Sequence, residues 1–102
     1  MTYQDVIAAL ESAIAANPSE FLAFDAVIGL EIEDENQGFV YYKGDLDSKA
    51  KAPYITSASS MPTDAALTVQ VKDKDFVDLY ENKLLPIAAI SSGKLKIVST
   101  CS

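Results

Sequence analysis

Between Ile14 and Ile28 the spacing of apolar residues changes from the period of a helix to that of a strand, and this change bounds the folds open to the chain. Tyr3, Val6, Ile7, Leu10, Ala13 and Ile14 recur at helical intervals, so one face of an N-terminal helix is apolar. Thr2 followed by Asp5 gives a capping-box start, and Asn17 and Pro18 mark its end. From Phe24 the period is two. Phe24, Ala26, Ile28, Leu30 and Ile32 share one face while Asp25, Glu31 and Glu33 share the other, the pattern of a strand with one wet side. A one-sided helix and a one-sided strand need each other's cover, which predicts a layered α+β domain.

The rest of the chain extends this pattern. Residues 34–38 form a turn and 39–46 a returning strand, making an antiparallel hairpin. Whether Phe39 and Tyr41 or Val40 and Tyr42 face the helices is left open by the pattern. A short turn over 19–24 has Ser19 as its expected cap. Residues 54–59 read as a third strand, and 65–73 alternate with Leu67, Val69 and Val71 opposite Thr68, Gln70 and Lys72. Asp73 or Asp75 is then expected to cap a helix carrying Phe76, Leu79, Tyr80, Lys83 and Leu84. Pro86 and the following apolar residues predict a further short helix, ended by Gly93. A last strand puts Leu95 and Ile97 inward and Lys94 and Lys96 outward. An antiparallel sheet with helices on one face follows, as a single domain over residues 1–102.

Charge and missing residue types narrow the function. The sequence carries 15 carboxylates against 8 lysines and has neither arginine nor histidine, for a net charge of -7. This balance argues against nucleic acid, which needs clustered Arg and Lys, and against tight docking on an anionic leaflet, and stable membrane insertion is not expected. Up to Asp47, ten carboxylates face the single Lys43; beyond it lysines outnumber carboxylates. Without histidine there is no Ser-His-Asp system and no imidazole metal ligand, and the lone Cys101 rules out an internal disulfide. The acidic run Glu31, Glu33, Asp34, Glu35 lacks the calcium-loop pattern. No metal, no cofactor and no enzymatic activity are expected. With no secretory leader legible at the N-terminus, a cytoplasmic location is the default.

The stretch from Ala65 to Ser99 carries a resemblance. Asp73, Asp75, Phe76, Lys83, Pro86, Gly93, Lys94, Leu95, Lys96 and Ile97 stand in the spacing found in the second half of the sterol carrier protein type two family, which this chain resembles. Asn82 and Ser99 replace common glycines, and Ile87 replaces a common glutamine.

The resemblance implies a five-stranded, mostly antiparallel sheet covered on one face by helices, with an apolar tunnel or groove between the layers. It implies binding of a fatty acid or fatty acyl-CoA, or a sterol, without catalysis. Ile28, Leu30, Leu67, Val69, Phe76, Leu79, Leu84, Ile87, Ile90 and Ile97 are the residues expected to line that space, with Lys83, Lys94 and Lys96 available to an anionic head group. The family's closing helix after the last strand is expected to be missing, which would leave part of the apolar layer to a ligand or a second subunit. The alternative reading is a non-catalytic dimerisation or protein-interaction module of the same fold with a filled cavity.

Overall fold

The computed structural model describes residues 1–49 and 52–99. Its elements are helices α1 (Tyr3–Ala16), α2 (Pro18–Leu22), α3 (Asp73–Tyr80) and α4 (Pro86–Ser92), with strands β1 (Ala26–Asp34), β2 (Gly38–Leu46), β3 (Tyr54–Ala58), β4 (Leu67–Lys72) and β5 (Leu95–Ser99). Cys101 lies outside the described residues.

The local signals at the first helix act as the sequence implies. Thr2 Oγ1 accepts from the Asp5 N–H at 3.3 Å, and Asp5 accepts from the Thr2 N–H at 2.9 Å, so two orphan donors of α1 are satisfied reciprocally. Two expected caps are not used. The α2 cap position is Asn17, with Pro18 in the first turn, because proline's fixed φ suits that turn and its missing N–H is no loss there. At α3 the cap position is Lys72, since β4 runs straight into the helix without a loop. Asp73 and Asp75 sit in the first turn of α3, where their charge meets the positive end of the helix dipole. Gly93 ends α4 at φ 80°, and Asn82 holds φ 62° in the turn between α3 and α4.

The sheet order is β3-β2-β1-β4-β5. Three of its pairings are antiparallel, and the central pair β1 and β4 is parallel. Leu30 and Ile32 of β1, Val71 of β4 and Leu95 of β5 meet Tyr3 and Ile7 of α1 and Ala89 of α4 in the core. Val40 and Tyr42 pack on this cluster, which fixes the side of β2 that faces the helices, and Phe39 is 54% exposed.

A parallel β1–β4 pair requires a crossover from β3, and the chain makes it over the face without helices. Met61, Pro62 and Ala65 lie so close to Gly29 that a Cβ there would come within 2.6 Å of the Met61 sulfur and 3.2 Å of Pro62. Lys43 Nζ grips Asp64 at 2.8 Å and the Ala66 N–H donates to the Val27 carbonyl at 2.9 Å, tying this segment down across β2 and β1.

Candidate functional site

Three rows of side chains cross the helix-facing side of the sheet, and their burial falls from one to the next. The first row joins Val40, Ile32, Val71 and Leu95; Ile32 is 0% exposed. In the second, Tyr42, Leu30, Val69 and Ile97 run from covered to 47% exposed at Ile97. Ile55, Gly44, Ile28, Leu67 and Ser99 form the third, where Ile28 and Leu67 are only half-buried and Ser99 is exposed.

The connections explain the gradient. β4 passes directly into α3 at the first row, so the two layers are tethered there. With only eight and seven residues, α3 and α4 reach about 10–12 Å, less than the distance needed to cover β4 and β5 from end to end. The helix layer therefore covers the first row fully and the third row only in part, and the less covered space over the third row is the wedge. Gly44 widens it: a Cβ at that position would meet nothing nearer than the Ile28 carbonyl oxygen at 3.9 Å. No periodicity argument marks this glycine, because the pattern in β2 is carried by its neighbours.

The ten apolar positions expected from the sequence divide into groups. Leu30 is in the core, and Val69, Phe76, Leu79 and Leu84 pack against it. Ile28 and Leu67 are direct partners across β1 and β4 in the third row, and Ile97 faces Val69 across β4 and β5. These eight lie on or toward the interlayer side. Ile90 is 51% exposed, and Ile87 is 80% exposed on the side of α4 turned away from its buried Ala89.

The closed end carries a polar lock. Asp34, buried at the end of β1, accepts from the Asn36 N–H at 2.8 Å and the Gln37 N–H at 3.3 Å, and from the Tyr3 hydroxyl of α1. These bonds hold the Asp34 carboxyl below the usual carboxylate range, the Asn36 contact most of all. Burial, with the Asp34 hydrogen bond next in weight, pushes the Tyr3 phenol up to about 12. A depressed carboxyl stabilises the fold above its ordinary value and loses that contribution as pH falls through the depressed one. A raised phenol contributes fully below pH 10 and loses it as pH climbs toward 12. Replacing Tyr3 by Phe is expected to lower Tm at neutral pH by about 5 °C, the scale of one lost hydrogen bond in a domain of this size. In calorimetry at a series of pH values the gap should shrink in acid, as Asp34 takes up its proton, and the alkaline decline should be shallower in the variant, where the raised Tyr42 and Lys43 still contribute to it.

Two polar recesses lie outside the wedge, of about 600 and 760 Å³. None of the ten apolar positions lines either. The smaller is bordered by Asp34, Asp73 and Lys83 at the closed end; the larger holds Lys72, Lys74, Lys94 and Lys96 beside Glu31 and Glu33. Lys96 therefore stands on the side away from the wedge, and Lys83 is paired with Glu81 at 3.3 Å. Among the described residues no helix is long and apolar enough to cross a membrane.

This geometry has known counterparts. The apo form of Sterol Carrier Protein 2 from Yarrowia lipolytica superposes with a TM-score of 0.77 at 19% identity, over 93% of this chain and 84% of that one. Palmitated SCP2L2 from Aedes aegypti gives 0.76 at 18% identity, over 97% of this chain and 84% of that one. At such identities the likeness is one of fold. In sequence, 52 residues are 33% identical to Non-specific lipid-transfer protein-like 1 of Caenorhabditis elegans, a match spanning 51% of this chain and 42% of that relative. The model of the SCP-2 sterol transfer family matches residues 7–98, from α1 through β5, and the chain therefore belongs to that family.

Proposed function

We propose that this protein is a non-catalytic lipid carrier that takes the acyl tail of a fatty acid or fatty acyl-CoA into the wedge between helices and sheet. The observation that carries the reading is the fall in burial from the Ile32 row to the Ile28–Leu67 row, with open space beside Gly44. An acyl chain entering there meets Ile28, Leu67, Val69 and Ile97, and each methylene that leaves water is worth about 0.8 kcal/mol. Family membership supports lipid binding in general, and a fold neighbour that carries palmitate supports the acyl class.

Carriage without chemistry is favoured by two features. The sequence has no histidine. The buried carboxylate Asp34 stands at the closed end with its hydrogen bonds already committed. The experiment is displacement of a fluorescent fatty acid by palmitate, palmitoyl-CoA and cholesterol. Displacement by the two acyl ligands, with cholesterol weaker, is the expected result. A protein that prefers cholesterol would overturn the acyl assignment, and one that binds no lipid would overturn the carrier reading.

A further inference from the structure

We infer that α2 and Phe24 form a lid, hinged at Asp25, that closes over the wedge once an acyl chain lies in it. The inference rests on the carrier reading above. Phe24 stands two residues before β1, at the end of that strand nearer the third row, and Ile28 is four residues further on. Four residues span at most about 13 Å, so a ring at Phe24 is within reach of the uncovered row. In an unbroken strand Phe24 would share the helix-facing side with Ala26 and Ile28. That alternation is interrupted at Asp25, whose φ of 50° lies in the left-handed region. Phe24 is turned out instead and is 65% exposed, its ring against Phe21 at a centroid distance of 6.3 Å.

The segment can move as a unit. No residue of α2 is buried, so shifting it uncovers no core side chain. On the lid side, the Phe24 N–H donates to the Phe21 carbonyl and the Asp25 N–H to the Leu22 carbonyl, both at 3.1 Å. On the sheet side, the Asp25 carboxylate accepts from the Ser48 N–H at 3.0 Å, and Ala26 pairs with Leu46. Rotation about φ of Asp25 preserves both sets, because its N–H lies before that bond and its carboxylate after it. At the other end Asn17, with φ -134° and ψ 59°, links α2 to α1 outside the helical region. Two irregular residues thus bracket a short helix, the arrangement of a hinged lid. The left-handed conformation is disfavoured for any residue with a Cβ, so returning Asp25 to the extended region relieves strain and brings Phe24 back to the side of Ala26 and Ile28. Without ligand the swing gains little, since Ala26 offers the ring only a methyl group. With an acyl chain over Ile28 and Leu67, the ring covers methylenes that otherwise face water, and this contact selects the closed state.

The test uses two variants of the full chain. Because the chain has no tryptophan of its own, Phe24→Trp places a single reporter on the lid. Its emission should be that of a ring in water without ligand and should shift to the blue when palmitate is added. Phe24→Ala should release a fluorescent fatty acid about tenfold faster than the wild type in stopped-flow chase with excess palmitate, the scale of one ring's cover, with entry no slower. A merely structural contact between Phe24 and Phe21 would move neither quantity. Emission that stays unmoved while palmitate displaces the fluorescent fatty acid overturns the lid and leaves the carrier reading standing. Release from Phe24→Ala at the wild-type rate also overturns the lid alone. A wild type that binds no fatty acid ends both, because the lid then has nothing to close on.

Discussion

Gly44→Leu is expected to lower fatty-acid affinity by about tenfold or more while leaving the fold at least as stable as before. A Cβ at this position has open space around it, with only the Ile28 carbonyl at 3.9 Å, so a leucine side chain grows into the wedge beside Ile28 and Ile55. Removing room for two or three methylenes, at about 0.8 kcal/mol each, accounts for the loss. Stability does not suffer, because a glycine inside a strand is itself a weak choice and the new side chain has apolar neighbours to pack on. Fluorescent fatty-acid titration alongside thermal melting reads both quantities. An unchanged affinity in a folded variant would mean that the ligand does not use this end of the wedge. A fall in both together would mean that the space was needed for packing and says nothing of a ligand.

The largest effect on stability belongs to the opposite end. Ile32→Ala removes a side chain that is 0% exposed, at the centre of the row that joins the layers. Its cost is expected to be about 3–4 kcal/mol, transfer and cavity terms together. In a domain whose total stability is about 5–15 kcal/mol, that leaves a protein close to unfolding at moderate denaturant concentrations. The same truncation at Leu67, two rows away and half-buried, should cost less than half as much, because water already reaches part of it. Urea titration of the two variants tests the burial gradient without any ligand. Equal losses would show that the layers are as tightly packed at the third row as at the first.

The positions with the strongest patterns are legible in the sequence. The helical spacing from Tyr3 to Ile14 and the alternation of Ile28, Leu30 and Ile32 or of Leu67, Val69 and Val71 state which face each element buries, and the structure uses those faces. The residues from Asp73 to Ile97 carried the family. Other features had no local signal. Val40 and Tyr42 alternate with Phe39 and Tyr41, all four apolar or aromatic, so the inward side of β2 was decided by its pairing with β1. The parallel β1–β4 pair was hidden because strand direction depends on how the crossover past Gly29 is routed. The resemblance implied that Ile87 and Ile90 line the interlayer. Ala89 took the buried place, and helix geometry then turned Ile87 outward.

What the sequence alone determined is therefore the set of elements, their apolar faces and the chemistry that is missing. Those are local properties: each follows from periods of two or 3.6 residues, from caps and turns, and from which side chains are present at all. Only the tertiary structure decided how far the helix layer covers the sheet. That outcome depends on the length of α3 and α4 against the strands they cover and on the tether where β4 enters α3. Gly44, silent in the sequence, opens space only because Ile28 and Ile55 lie on either side of it.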